Sequence, residues 1–337
     1  MARTTIHDVA KAAGVAIKTV SRVMNNEPNV REATRARVQA AVKALNYHPS
    51  LSARSLAGRR SYLIGLLYEN PSANYIVDVQ HGAMARCRQE RFQLFIHQCS
   101  GRGDALLQDI GALIDQTHLD GVVLTPPLSE SVPLIQVLDR RGLPFVRIAP
   151  NRMQHPSPYV EMDDEGAARE MTEYLIGLGH RQIGFIIGHP DHYASGQRLK
   201  GYRAALQAHG IPYDERLVRQ GLFMFDSGLQ AARELLALPE PPTAIFASND
   251  DMAAGAVMAA HEKGIPIPEQ LSVVGFDDTY IARTVWPCLT TVHQPSYELA
   301  FAATDLLLKM LKSRKTPRPV RLGHKLVTRA SAGPPRR

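Results

Sequence analysis

Several features that would assign this chain to a specialised class are scarce or missing. Only three cysteines, Cys87, Cys99 and Cys288, occur in 337 residues, and none belongs to a CxxC pair. Their odd number and wide spacing argue against a disulfide framework and against a zinc site. We therefore expect no metal and no cofactor, and a reducing cytoplasm is the compartment that fits.

Long apolar runs and the usual catalytic motifs are missing as well. No run approaches the ~18 residues that a membrane span needs. The N-terminus, MARTTIHDVAKAAG, lacks the apolar stretch of a secretory signal. There is no GxGxxG after a predicted strand, no P-loop, no HExxH and no nucleophile elbow. These absences predict a cytoplasmic protein that is not an enzyme.

Charge is present, but it is concentrated at one end of the chain. Residues 1–60 contain 11 Lys/Arg and 3 Asp/Glu, a balance of +8, whereas the remaining 277 residues contain 28 and 29, a balance of −1. A small basic module attached to a nearly neutral body is typical of a protein that binds a polyanion. A solvated basic tail would give the same charge, so the residue pattern has to decide between them.

The pattern of the basic module predicts three short helices. In TTIHDVAKAAG, Thr5 and Asp8 have the spacing of a capping box, and Gly14 ends the helix. The segment AIKTVSRVMNN places Val20 and Val23 on an inner face, and REATRARVQAAVKALNY follows as a third amphipathic helix. Two helices joined by a glycine-containing turn, with a third packed across them, form a helix-turn-helix.

The outward face of the second helix carries polar and basic side chains and no carboxylate. Such a face can bond to phosphates and to base edges, although a merely solvated face would have the same composition. The stretches IHDVAKAAGVAIKTVSRVMNN, TRARVQAAVKALNYHPS and ARSLAG, followed by LGHRQIGFIIG, RLKGYRAAL, AIFASNDDMAAGA and LSVVGFDD, resemble the LacI/GalR family of bacterial transcription regulators, over a region extending to about residue 330.

The resemblance implies that the second helix enters the major groove of double-stranded DNA. The DNA-contacting residues that it implies in residues 1–60 are Thr5, Ala16, Ile17, Lys18, Thr19, Ser21, Arg22, Asn25, Tyr47, Arg54 and Leu56. Residue 16 is often serine in the family, so its replacement by alanine removes a hydroxyl contact. Within PSLSARSLAG, a stretch too short to be a stable helix alone, Leu56 is expected to insert into the minor groove when two copies pair over DNA. A linker with an incidental leucine is the alternative.

The body of the chain alternates apolar runs with amphipathic helical spacing. Nine runs predict strands: YLIGLLYE, FQLFIHQC, GVVLTPP, FVRIAP, QIGFIIGH, LVRQGL, AIFASND, LSVVGFDD and TTVHQP. Continuous apolar runs separated by helices predict parallel sheets buried on both faces, and nine runs suggest two α/β lobes. The resemblance implies a core like that of the periplasmic binding proteins, whose lobes close on a small molecule.

The predicted organisation has three parts. Residues 1–49 are the helix-turn-helix domain, 50–60 the hinge, and 61–332 the effector-binding and dimerisation core. Within the core, the N-lobe covers about 61–161 and 292–322, and the C-lobe covers about 162–291 and 323–332.

Pairs of acidic residues follow several predicted strands, in MDDEGA, NDDMAAG and FDDTY. Paired carboxylates suit acid–base catalysis, but such pairs also begin helices. We expect Asp164, Asp251 and Asp278 to be helix caps. Asn249 and Asp277 come first after their strands, where ligands of open α/β sheets bind.

The resemblance implies effector contacts for seven residues: Tyr75, His192, Arg198, Phe223, Asn249, Asp277 and Gln294. The His189-x-x-His192 spacing has no third ligand to make it a metal site. Many relatives have an aspartate after the fourth strand, where this chain has Ala149 and Pro150. Arg147 or Asn151 could replace that aspartate, or the effector could be of another kind.

The sequence thus predicts a homodimer, or a higher oligomer, that binds a pseudo-palindromic operator as a repressor. A small-molecule effector, with carbohydrate as the expected class, would control it. A corepressor-dependent or activating regulator of the same family, a solute-binding protein and an enzyme are the alternatives.

Overall fold

The computed structural model describes residues 4–24, 27–47, 60–101, 103–151, 155–313 and 315–336. The chain divides into two compact units, Met1–Tyr62 and Leu63–Arg337. We refer to them as the head and the core. None of the helices within the described ranges is long and apolar enough to cross a membrane.

The head contains three helices, as predicted: α1 (Ile6–Ala13), α2 (Ile17–Met24) and α3 (Glu32–Ala44). The Asp8 carboxylate accepts from the Thr5 N–H at 2.9 Å and from the Thr5 hydroxyl at 2.8 Å, which fixes the start of α1. These hydrogen bonds, the backbone one first, lower the pKa of Asp8. Gly14 ends α1 with a φ of 62°, the left-handed conformation that glycine adopts without steric cost.

One apolar cluster holds the three helices of the head together. Its buried members on the three helices come from the faces that the sequence predicted to be inward: Val9, Ala10, Ala13, Val20, Val23, Val38 and Ala41. Tyr47, which follows α3, is buried with them. The turn between α1 and α2 and the crossing of α3 therefore form a helix-turn-helix.

The core is built from alternating strands and helices. Its strands are β1 (Leu63–Tyr68), β2 (Gln93–Gln98), β3 (Gly121–Leu124), β4 (Phe145–Ile148), β5 (Tyr159–Glu161), β6 (Ile183–Ile187), β7 (Val218–Gln220), β8 (Ala244–Ala247), β9 (Ser272–Val274), β10 (Thr291–His293), β11 (Val320–Arg321) and β12 (Lys325–Val327). Its helices are α4 (Ala73–Gln89), α5 (Gly103–Thr117), α6 (Val132–Arg140), α7 (Asp164–Gly177), α8 (Tyr193–Ala208), α9 (Phe225–Leu235), α10 (Asp250–Glu262), α11 (Ile281–Thr284) and α12 (Ser296–Ser313), with 3-10 turns at Leu128–Glu130 and Glu215–Leu217.

Over the described residues the strands form two parallel sheets and one short antiparallel pair. The first sheet has the order β11-β5-β4-β3-β1-β2 and the second the order β7-β6-β8-β9, while β10 pairs with β12. All ladders within the two larger sheets are parallel. We call the first sheet with its helices the N-lobe, and the second sheet with its helices and the β10–β12 pair the C-lobe.

All nine predicted apolar runs form strands, and the two-sheet core is confirmed. The strands that the pattern missed are β5, β11 and β12, each of two or three residues. Strands β7, β9 and β10 are as short but lie within longer runs that the sequence analysis recognises, whereas β5, β11 and β12 have no such run around them.

Glycines allow close helix crossings in both lobes. A Cβ on Gly82 of α4 would lie 2.0 Å from the Tyr297 carbonyl oxygen of α12. A Cβ on Gly201 of α8 would lie 2.1 Å from the Glu165 carbonyl oxygen of α7. Because the obstructing atoms are backbone atoms, neither helix pair can accept a side chain there without separating.

Candidate functional site

The outward face of α2 is polar, as its sequence predicts. Ala16, Ile17 and Lys18 are exposed at the start of this helix, and Ile17 retains 41% of its accessible surface. Thr19, Ser21 and Arg22 are half-buried. The Arg22 guanidinium lies 3.6 Å from the Glu27 carboxylate, an exposed pair that solvent weakens. The face therefore offers hydroxyl and cationic donors, and α2 itself has no acidic residue.

The other residues predicted to contact DNA differ in their placement. Thr5 is exposed at the start of α1, whereas Tyr47 is buried in the apolar cluster of the head with 7% of its surface accessible. The structure thus gives Tyr47 a packing role that the sequence did not predict. Asn25, Arg54 and Leu56 lie outside the described residues.

A cleft in the core brings together all seven residues predicted to contact an effector. It is lined by Asn70, Ser72, Tyr75, Pro126, Ala149, Asp164, His192, Ala194, Arg198, Phe223, Asn249, Asp277 and Gln294. The volume of the cleft, including the part open to solvent, is about 420 Å³. The N-lobe residues follow β1, β3 and β4, and most C-lobe residues follow β6, β8 and β9, so the carboxyl ends of both sheets face the cleft.

Arg198 is the centre of the buried polar network in the cleft. Its Nε donates to Asp164 Oδ1 at 2.9 Å, its Nη2 donates to Gln294 Oε1 at 2.8 Å, and its Nη1 donates to the Ser248 carbonyl at 2.5 Å. One face of the guanidinium lies on the Phe276 ring, 3.5 Å from the ring centroid. Arg198 is thus largely engaged with the protein itself.

Asn249 begins helix α10. Its Oδ1 accepts from the Met252 N–H at 2.9 Å, and its Nδ2 donates to the Phe223 carbonyl at 3.0 Å. Asn249 is therefore the N-cap of α10 as well as a residue of the cleft wall. The bond to Phe223 also fixes the loop that carries the Phe223 ring.

The expectation that Asp164, Asp251 and Asp278 cap helices is wrong. The cap of α7 is Asp163, whose Oδ1 accepts from Gly166 N–H at 3.0 Å, so Asp164 is free to bind Arg198. Asp278 instead pairs with Arg329 at 2.5 Å. Helix α7 begins one residue earlier than the sequence indicated, with Asp163 as its cap, and α10 begins two residues earlier, with Asn249 as its cap.

Asp251 forms hydrogen bonds between the two lobes. Its carboxylate accepts from the Ser72 hydroxyl at 2.7 Å and from Asn74 Nδ2 at 2.9 Å, both at the start of α4. A second connection joins Glu130 of the N-lobe to the first N–H of α8, at Tyr193, over 2.9 Å. Burial raises the pKa of Glu130 to about 7, against the opposing effect of the Tyr193 bond and Arg147.

Asp250, which the sequence analysis did not select, supports the loop that carries Asp277. Its carboxylate accepts from the Thr279 N–H at 2.8 Å and from the Thr291 hydroxyl at 2.6 Å. Burial raises its pKa to about 7, although these hydrogen bonds oppose the shift. The signal available in the sequence was the pair of carboxylates in NDD, of which only Asp251 was given a role, as a helix cap.

Three buried groups of the cleft have no hydrogen-bond partner among the described residues: the Tyr75 hydroxyl, the His192 imidazole and the Asp277 carboxylate. Asp277 has 8% of its surface accessible, and the nearest cation, Arg198 Nη1, is 3.9 Å away. Burial lowers the pKa of His192 to about 3, with contributions from His189 and Arg198, so its ring is neutral. These groups are the ones available to a bound molecule.

Burial raises the pKa values of the acidic groups around the cleft. The pKa of Asp277 lies well above its ordinary value because of burial; Arg198 opposes this shift, and Asp250, Asp251 and Asp164 add to it. The pKa values of Asp164 and Tyr75 are also raised, mainly by burial. Burial therefore favours the protonated, neutral forms of these groups, and Arg198 opposes that shift.

Three residues of the cleft lining have a strained backbone. Ala149, Phe223 and Asp277 have φ values of 45°, 61° and 113°, which non-glycine residues adopt rarely. The Phe223 ring packs over Gly188, where a Cβ would lie 2.1 Å from the ring. The N–H of Asp277 donates to the Val292 carbonyl at 2.8 Å, and its carbonyl accepts from Gln294 N–H at 3.1 Å, which holds the unusual conformation in place.

Arg147 does not replace the missing aspartate after β4. It is fully buried, and its guanidinium donates to Ser157 Oγ at 2.7 Å and to the His155 carbonyl at 2.6 Å, away from the cleft lining. Asn151 is also absent from the residues found to line the cleft, whereas Ala149 is among them. The described residues that line the cleft after β3 and β4, Pro126 and Ala149, are therefore apolar.

Comparison with known proteins gives this fold and cleft a context. Residues 5–50 match the family described as "Bacterial regulatory proteins, lacI family", and residues 172–332 match "Periplasmic binding protein-like domain". The chain is 33% identical over 336 residues to the HTH-type transcriptional regulator DegA of Bacillus subtilis (strain 168), covering 98% of this chain and 99% of DegA. The chain belongs to the lacI family.

Solved structures of lacI-family members agree with this assignment over almost the whole chain. The lac repressor dimer bound to operator and the anti-inducer ONPF has a TM-score of 0.82 at 29% identity, covering 98% of this chain and 100% of the repressor chain. The transcriptional regulator CelR in complex with cellobiose has a TM-score of 0.75 at 34% identity, with the same coverage. This lacI-family chain is therefore a DNA-binding transcription regulator controlled by an effector, and not an enzyme.

Proposed function

We propose that this chain is a repressor that binds a pseudo-palindromic operator through α2 as a homodimer and responds to a small carbohydrate bound in the cleft of its core. The observation that carries the proposal is the outward face of α2, which is basic and free of carboxylates. A regulator of this kind acts on chromosomal DNA, and thus in the cytoplasm.

The chemistry of the cleft supports a carbohydrate effector. Tyr75 and Phe223 provide aromatic surfaces for a sugar ring, and the Asp277 carboxylate and the His192 imidazole provide free hydrogen-bonding groups for hydroxyls. CelR, whose structure resembles this chain, was solved with cellobiose. The remaining proposed effector contacts are Arg198, Asn249 and Gln294.

Exposed apolar side chains on the C-lobe support self-association. Met224, Phe225, Met258, Tyr280 and Trp286 are exposed in and around α9, α10 and α11, and Tyr280 and Trp286 keep 77% and 78% of their surfaces accessible. Large exposed apolar side chains concentrated on one region are typical of protein interfaces. The lac repressor to which the chain is similar was solved as a dimer on its operator.

The proposed DNA contacts can be tested with single substitutions in α2. We expect Arg22→Ala to weaken operator binding by about 10- to 100-fold and to relax the base preference at one position of each half-site. Lys18→Ala should weaken binding and lower the slope of log K against log salt by about one per protomer. Lys11→Ala, on the exposed surface of α1, is the matched control.

The measurement is fluorescence anisotropy with genomic fragments taken from upstream of the gene and its neighbours, in competition with unrelated DNA at about 150 mM salt. Sequence-independent binding under these conditions would refute the proposal. In the same assay Leu56→Ala should reduce operator affinity and leave effector affinity unchanged, because Leu56 is proposed to act in the minor groove.

The sign of the effector response follows from the same experiment. A sugar that lowers operator affinity is an inducer, and one that raises it is a corepressor, because the ligand shifts the protein toward whichever state binds it more tightly.

A further inference from the structure

The charged groups that line the cleft are two carboxylates and one guanidinium. Asp164 and Asp277 are the acidic side chains of the lining and Arg198 is the basic one, while the His192 ring is neutral. The N-lobe contributes Asn70, Ser72, Tyr75, Pro126 and Ala149 to the lining, so it adds no cation there. The described wall of the cleft therefore has an excess of acidic groups.

Arg198 has little capacity left to bind an anion. Its three nitrogen atoms already donate to Asp164, Gln294 and the Ser248 carbonyl, and one face of its guanidinium is covered by Phe276. An anionic ligand that approached Arg198 would compete with a buried carboxylate at 2.9 Å. Arg198, the one cation of the described cleft lining, is thus bound to other residues of the protein.

The helix starts near the cleft could in principle attract an anion, because exposed N–H groups there are partly positive. Three of these starts already have an acidic side chain at them. Glu130 accepts from the first N–H of α8, Asp163 caps α7, and Asp251 binds Ser72 and Asn74 at the start of α4. A fourth, α10, is capped by the Asn249 amide, and a fifth, α9, has Asp226 in its first turn.

The Asp277 carboxylate, in contrast, lacks a hydrogen-bond donor. It is more than nine-tenths buried, lines the cleft, and receives no hydrogen bond from any described residue. Its oxygens are open to the cleft, so a ligand that supplies hydroxyl or ammonium hydrogens can bond to them in place of water. A ligand that brings a negative charge meets a carboxyl that either repels it or has to be protonated, and in both cases Arg198 is already bound to other residues.

We propose that the cleft selects an uncharged or cationic polyhydroxylated ligand and rejects phosphorylated and carboxylated ones, with Asp277 as the residue that discriminates. This inference rests on the proposed function, namely that the cleft binds a small carbohydrate effector. It adds the charge class of that effector and the residue that determines it.

The test compares matched sugars on the full-length protein by thermal shift and titration calorimetry. The series are glucose, glucosamine, glucose 6-phosphate and glucuronate; galactose and galacturonate; and cellobiose and cellobionate. We expect each anionic member to bind about 100-fold more weakly than its uncharged counterpart, because uncompensated like charges are strongly disfavoured at a buried contact. An anion that binds within about threefold of its uncharged counterpart would overturn the inference while leaving an effector-controlled regulator in place.

Asp277→Asn tests the assigned residue. Asparagine tolerates the φ of 113° at this position better than most residues and removes only the charge. Discrimination against anions should fall to about tenfold or less, while Asp115→Asn, a change of the same type on α5, should leave it intact. Unchanged discrimination in a folded Asp277→Asn protein would contradict the role of Asp277, and the wild-type comparison remains decisive if the variant does not fold.

If no sugar of the panel binds at about 50 mM, the carbohydrate part of the proposed function is wrong and this inference falls with it. That result differs from preferential binding of an anion, which refutes only the charge class.

Discussion

The two lobes of the core share a strand order but differ in what they bring to the cleft. Strands β2-β1-β3-β4 of the N-lobe and β7-β6-β8-β9 of the C-lobe follow the same sequence of neighbours. Every charged side chain in the cleft lining belongs to the C-lobe, whereas the N-lobe contributes hydroxyl, amide and apolar groups. The same strand order therefore supports two kinds of surface. The C-lobe surface presents acidic and basic side chains to a ligand, and the N-lobe surface covers the ligand with uncharged groups.

The charged groups of the N-lobe near the cleft are directed elsewhere. Arg147 is enclosed by its own lobe, and Glu130 reaches across to the first N–H of α8. In consequence, the N-lobe places an uncharged surface opposite the charged surface of the C-lobe. The hydrogen bonds of Glu130 and Asp251 connect the two lobes beside the cleft.

The largest expected effect is that of removing Arg198, the cation of the described cleft lining. Replacing Arg198 with alanine leaves Asp164 and Asp277 buried without their cation, which we expect to cost about 3–5 kcal/mol in the free energy of unfolding. Urea denaturation followed by circular dichroism measures this loss. Arg216→Ala, which removes an exposed arginine paired with Asp214, should leave the unfolding midpoint nearly unchanged. Similar results for the two variants would show that the network is not structural.

A smaller effect is expected at the helix crossing of the C-lobe. Gly201→Ala places a methyl group against the Glu165 carbonyl, so we expect a loss of about 3 kcal/mol in the free energy of unfolding. Gly196→Ala on the same helix meets no atom within 4 Å and should instead stabilise the protein by about 0.5–1 kcal/mol. Thermal and urea unfolding of the pair would reveal the difference, and destabilisation of equal size at both positions would contradict the close crossing.

The smallest of the three effects is a pH dependence of the free energy of unfolding, caused by Glu130 at the contact between the lobes. Because burial raises the pKa of Glu130 from 4.5 to about 7, the stability that Glu130 contributes is complete below its unfolded pKa and is lost as the pH rises through 7. Glu130→Gln removes this dependence. The free energy of unfolding of the wild type, relative to the variant, should therefore fall by about 2 kcal/mol between about pH 5 and pH 8.

Asp250 has a pKa shifted in the same direction, but it is present in both proteins and cancels in the comparison. Arg147 and Asp191, the other charged groups that act on Glu130, are also unchanged. Glu215→Gln, the same change at an exposed position, is the matched control. A pH-independent difference for Glu130→Gln would show that this carboxyl does not titrate in the window.

Much of the fold could be predicted because its signals are local and periodic. The inward faces of α1, α2 and α3 follow from the spacing of Val9, Val20 and Val38, and Gly14 supplies the turn. The other nine strands lie within the apolar runs that the sequence shows. The short strands β5, β11 and β12 were missed because their pairing depends on neighbours far away in the chain.

The members of the cleft could be predicted more readily than their roles. Residues that follow parallel strands meet at one edge, so Asn249 and Asp277 come together from sequence position alone. Which carboxylate caps a helix depends on a boundary that shifts by a single residue, and Asp163 and Asp164 therefore exchanged roles. The partners of Arg147 and Asp250 come from other segments of the chain, and no local pattern indicates them.

The single tryptophan has a practical consequence. Trp286 is largely exposed and is not among the residues found to line the cleft, so its emission reports the polarity at the outer surface of the C-lobe. Covering that surface with another protomer should shift its emission to shorter wavelengths, whereas filling the cleft should leave the spectrum almost unchanged. The natural chain thus carries an optical sensor of assembly, and a second indole introduced at Phe223 would add an independent sensor of occupancy.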